Sequence, residues 1–283
     1  MRRAGVYSGL GAAVAALAIG AWYLHGRGGI PADVTVIAGG DAGRLARAEP
    51  VTEGFEAAGM QAAAQLAREQ RAVALLVMRH EHLVLEQYGT GGDAEALVDG
   101  GGFGAVMAAL AAGVAAARNG LPAPKEFDPD GQSQADADRL CAAIARASGV
   151  PYPQFLSTWV WRRLNAGPAY YLASTGALSA RAGDWLRVAE LLLQDGRFEG
   201  TQVVPPGWVR RIRLASVQSD VVLLRGPGGT RLWLAPRLQL AILRVGPAGG
   251  AVDETRLPAL LVDAVHERPA ASAPSLSDLV PGH

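Results

Sequence analysis

The longest uninterrupted apolar stretch opens the chain. Met1, Arg2 and Arg3 precede Ala4 to Leu24, a run without a single charge, and about twenty apolar residues span a hydrocarbon core of roughly 30 Å. The pattern predicts a membrane segment over 1–27, as an uncleaved anchor in preference to a signal peptide cut after Ala16-Leu17-Ala18. With both arginines in front, the N-terminus stays in the cytoplasm and the rest lies outside it, in a periplasmic or extracellular space. Residues 28–50 are rich in Gly, Ala and Pro around one short apolar run, Val34 to Ile37, and suit a tether.

The body, residues 51–267, alternates helical and strand periods. Thr52 caps a predicted helix through Phe55, Met60 and Leu66 to about Gln70. Arg71 to Met78 is a continuous apolar run of strand length, followed by a turn at Arg79 to Glu81 and a second strand at His82 to Tyr88. Beyond a glycine-rich loop, Phe103 to Arg118 is almost entirely small and apolar, the pattern of a helix buried on most faces. A Pro-rich link, Leu121 to Pro129, leads to helices near Ala135 to Ala147, Pro153 to Leu164, and from the cap Ser179 to about Gln194. Strands at Val221 to Arg225, Arg231 to Ala235 and Leu238 to Val245 precede a closing helix, Asp253 to His266. The order predicts an α+β sandwich: one antiparallel sheet of about five strands shared between the two chain ends, with a helical block inserted. The Pro, Ser and Ala-rich residues 268–283 read as a disordered tail.

Composition narrows the chemistry. Twenty-six basic and 26 acidic side chains cancel, so there is no bulk attraction for nucleic acid. Lys125 is the only lysine, and arginine cannot serve as a base. Cys141 is the only cysteine, which excludes an internal disulfide and a Cys-x-x-Cys motif. His80-Glu81-His82 sets two imidazoles at alternate positions, a possible start of a metal site, but a solvated hairpin turn is the simpler reading because no third ligand cluster is evident. Gly100 to Ala105 has the glycine spacing of a dinucleotide loop, yet the strand before it and the acidic residue after it are missing. No Gly-x-Ser-x-Gly elbow occurs.

Several stretches together resemble the serine β-lactamase and penicillin-binding-protein-like hydrolases, in particular their class C-related branch. The clearest is Ala173 to Arg187, followed by Leu191 to Arg197 and Gly200 to Val209. The hairpin Ala74 to Tyr88 resembles that family's first two strands, and Gly226 to Gly246 its last two. The resemblance implies a β-lactamase/transpeptidase-like fold and no cofactor, and it places Phe103 to Arg118 as the nucleophile helix. Gly102 then stands where the serine belongs and Ala105 where the lysine belongs. Asp128 and Asp130 occupy the tyrosine motif, and Pro227 replaces the cation or imidazole of the third motif. No Ser-x-x-Lys occurs anywhere, since Pro122 lies three residues before the only lysine. Only 25 residues separate Gly102 from Asp128, so the helical region implied between the first two motifs is shortened. The expectation is a membrane-anchored pseudoenzyme that binds a peptide-like or cell-wall ligand or another envelope protein. The alternative is a diverged hydrolase with Asp128 or Asp130 as base.

Overall fold

The computed structural model describes residues 32–41, 43–122, 127, 134–212, 215–218, 220–247 and 252–266. The expected anchor, the expected tail, Lys125, Asp128 and Asp130 lie outside these.

In chain order the first elements are β1 (Val34–Ile37), α1 (Ala57–Glu69), β2 (Ala74–Arg79), β3 (His82–Tyr88), β4 (Leu97–Asp99) and α2 (Gly102–Asn119). The middle holds α3 (Gln134–Ser148), α4 (Tyr152–Trp159), β5 (Ala169–Leu172), β6 (Ala177–Arg181) and α5 (Ala182–Leu193). The last part adds β7 (Arg197–Phe198), β8 (Thr201–Gln202), β9 (Ala215–Gln218), β10 (Val221–Arg225), β11 (Arg231–Ala235), β12 (Leu240–Val245) and α6 (Arg256–Asp263).

The central sheet runs β3-β2-β12-β11-β10-β9, antiparallel throughout, so both chain ends build it as the sequence predicts. Its middle strands are buried on both faces, which explains their unbroken apolar runs. Leu75, Val77, Trp233 and Ile242 face α1 and α6. Leu76, Met78, Leu232 and Leu243 face α2 and α5 on the other side. Helix α2 has the length and composition of a membrane span, but most of it is buried here as the central helix of the core. Gly113 lets the Trp208 ring lie against it, since a Cβ there would stand 2.7 Å from the indole. Trp208 Nε1 donates to the Ala109 carbonyl at 2.9 Å.

Five features differ from the sequence reading. Thr52 does not cap α1, which starts after Glu56; its hydroxyl donates to the Glu49 carbonyl at 2.7 Å. A second sheet, β1-β5-β6-β4, is present. The apolar run in the expected tether is its edge strand: Val34–Ile37 pairs with Ala169–Leu172, and Arg47 bridges to Leu83. Ser179 lies inside β6 and does not cap α5, which starts after Arg181. The helix expected over Pro153 to Leu164 stops at Trp159, because Val160 leaves helical geometry (φ −126°), and resumes as a 3₁₀ turn over Trp161–Leu164.

Candidate functional site

β4 ends at Asp99, and its carboxylate accepts the Gly101 N–H at 2.9 Å, which bends the chain into the start of α2. Burial raises the Asp99 carboxyl above its ordinary range, and that hydrogen bond pulls the other way. Gly100 donates to the Leu178 carbonyl at 2.9 Å, which fixes the loop to β6. Gly101 takes φ +49°, a region in which side-chain-bearing residues are strained.

The β10–β11 turn closes over this loop. A Cβ added at Gly101 would lie 2.6 Å from Pro227 Cδ, and one at Gly102 would lie 2.6 Å from the Arg225 carbonyl oxygen. The turn is held from the other side by arginines. Arg231 Nη1 donates to the carbonyls of Gly226, Gly228 and Thr230 at 3.2, 3.3 and 2.8 Å. Buried Arg244 donates to Gly229 at 2.6 Å and to Gln70 at 3.1 Å. Glu254 binds Arg225 at 2.8 Å and Arg231 at 2.7 Å, and the hydrogen bond from Arg225 leads in holding its carboxyl below the ordinary range.

The structure therefore brings Gly102, Ala105 and Pro227 to one place: Gly102 opens α2, Ala105 follows one turn on, half-buried, and Pro227 sits over the preceding glycine. None of these side chains can accept, donate or relay a proton. Cys141 offers no substitute nucleophile, since burial pushes its thiol up to about 12 and the thiol form is unreactive.

Comparison with solved structures identifies the architecture. A protein of Bacillus anthracis assigned as a 6-aminohexanoate-dimer hydrolase superposes with a TM-score of 0.61 at 12% identity, over 82% of this chain and 89% of that one. The chain carries the β-lactamase/penicillin-binding-protein fold. A β-lactamase of Mycobacterium bovis gives 0.51 at 15% identity, over 71% and 96%. FmtA from Staphylococcus aureus gives 0.55 at 8%, over 87% and 94%. The 6-aminohexanoate-dimer hydrolase of Paenarthrobacter ureafaciens is 30% identical over 86 residues, 28% of this chain and only 22% of that enzyme's length. No protein-family model matches.

Two further sites were open from the sequence. His80 and His82 turn Nδ1 toward the two oxygens of Glu53, at 2.8 and 3.0 Å, so the pair belongs to a hairpin turn packed against that carboxylate. Among the described residues no group of His, Cys, Asp or Glu is placed to hold a metal. The glycine spacing at Gly100 to Ala105 serves close packing: β4 has three residues, and a Cβ at Gly100 would meet the Trp185 ring at 2.5 Å. A cavity of about 700 Å³, with no local signature in the sequence, opens at the β3 edge between the 43–47 segment and the start of α5. Arg44, Arg47, Tyr88, Glu95 and Arg181 line it beside Leu83.

Proposed function

We propose that this chain is a non-catalytic β-lactamase-like domain with a binding or regulatory role in the cell envelope, held to the membrane by residues 1–27. The observation that carries the reading is at Gly102. A serine there would press its Cβ against the Arg225 carbonyl, 2.6 Å away, and the neighbouring base position is an alanine. Acyl transfer by this fold's chemistry needs an activated nucleophile beside a base that can take its proton, and the chain has no Ser-x-x-Lys.

Binding survives the loss of that chemistry, because a site needs only shape and matched polar groups. The cavity of about 700 Å³ at the β3 edge falls within the range of small-molecule sites, roughly 300–1,000 Å³. Its paired charges, Arg181 with Glu95 at 2.8 Å and Arg47 with Glu86, sit beside apolar walls. That mixture suits a peptide-like ligand with amide groups and short side chains.

A chromogenic cephalosporin and a set of short p-nitrophenyl esters test the catalytic half of the proposal. The expected result is no turnover above the buffer rate; saturable turnover that survives repurification overturns it. Fractionation tests the anchor: the full-length mass should remain with membranes, and a shorter soluble product would contradict it.

A further inference from the structure

Trp159, the last residue of α4, carries two guanidinium groups. Arg118 Cζ lies 3.4 Å from the indole centroid and Arg163 Cζ lies 5.4 Å from it. Arg118 comes from the last turn of α2 and Arg163 from the 3₁₀ turn after α4. Both residues are exposed. Several other surface arginines are paired with carboxylates: Arg47 with Glu86, Arg139 with Asp136, Arg181 with Glu95, Arg210 with Asp195. Among the described residues Arg118 and Arg163 have no such partner.

Two like charges on one ring repel each other, and cation–π attraction at an exposed ring is weak. The C-terminal ends of α2 and α4 each supply about half a negative charge toward the pair. A net positive charge therefore remains on the pair. Beside them is a cavity of about 180 Å³ walled by Val114, Val203 and Pro205, with both arginines and Trp159 on its lining.

We propose that the Arg118–Trp159–Arg163 cluster binds a phosphate group, carried by a small soluble molecule or by a phospholipid head group. Phosphate monoesters bear about 1.5 to 2 negative charges near neutral pH, more than a carboxylate's one, and present three acceptor oxygens to the two guanidinium groups. Guanidinium is the side chain whose planar fork pairs with phosphate through two parallel hydrogen bonds. The cavity is well below the roughly 300 Å³ at which drug-sized ligand sites begin, so it admits one tetrahedral group and the first carbons attached to it.

Trp159 is the reporter. The full chain in neutral detergent is titrated with glycerol 1-phosphate, and separately placed in phosphatidylcholine vesicles with and without phosphatidic acid. The Trp159 emission is taken as the difference from Trp159→Phe. A saturable response to glycerol 1-phosphate identifies a soluble ligand; a response only to phosphatidic acid identifies the head group. Either supports the site provided that Arg118→Gln and Arg163→Gln each weaken it at least about tenfold. Unchanged melting temperatures show that the variants are folded. No response from Trp159 to either probe, an equal response to acetate at the same ionic strength, or a response that persists in the double variant overturns the proposal.

Discussion

Glu190 gives the most quantitative prediction. It lies on α5, only 5% exposed, on a helix whose buried residues are mostly apolar, with Asp184 and Arg187 the other buried charged groups. Burial is the main cause that pushes its carboxyl up to about 7. Glu81 in the β2–β3 turn adds to the shift and so does Glu199, while the Glu199 N–H and Arg187 oppose it. In the unfolded chain the group returns to about 4.5, so between these values the folded state holds a proton that the unfolded state releases. Stability from this group is therefore present at acid pH and is lost as pH rises through about 7. At about 1.4 kcal/mol per unit, the window amounts to about 3 kcal/mol as an upper limit. Glu190→Gln keeps an acceptor for the Glu199 N–H and removes the titration. Urea unfolding at pH 4.5, 6 and 8 measures the consequence. The variant should match the parent at pH 4.5 and exceed it by up to about 3 kcal/mol at pH 8. A difference between the two proteins that does not change with pH would refute the assignment.

Four further outcomes follow from the packing. His80 and Glu81 both have positive φ, 46° and 70°, the backbone of a hairpin turn that favours Asn-Gly; Glu81→Gly should raise stability by about 1 kcal/mol and lower the pH at which Glu190 titrates, as read by the same urea series. Leu243, fully buried on β12, should cost about 2–5 kcal/mol when changed to alanine, and a fragment ending at 250, which lacks the buried Leu257 and Leu261 of α6, should show no cooperative melt. Gly102→Ser with Ala105→Lys should not restore hydrolysis above about a hundredth of an ordinary turnover of roughly 10 s⁻¹. Pro227 supplies no donor for the departing group, and a serine Cβ at 102 collides with β10.

The central sheet was legible because burial on both faces writes itself as an unbroken apolar run. Arg71 to Met78 and Leu238 to Val245 read as strands for that reason, and their residues divide between the two faces as pleating requires. The second sheet was not legible. Its strands are short, and Ala-Leu-Ser-Ala-Arg in β6 carries neither a clean alternation nor β-branched residues, so Ser179 looked like a helix cap. Val34 to Ile37 was visible as an apolar run, but its partner, Ala169–Leu172, is more than a hundred residues away. At the candidate site, Pro227 lies against Gly101 and the Arg225 carbonyl against Gly102, and this close approach, which no local pattern announces, explains why glycine stands there. The Arg118–Trp159–Arg163 cluster joins residues from three elements and left no local signal.

Intact-protein mass spectrometry after exposure to a penicillin tests the central claim most directly, because it detects an acyl-enzyme whether or not that intermediate turns over. With glycine at 102, alanine at 105 and no Ser-x-x-Lys in the chain, the denatured protein should keep its unmodified mass at any antibiotic concentration that labels an active penicillin-binding protein. A stoichiometric mass increase equal to one penicillin, retained after denaturation and mapped to any serine, would contradict the account.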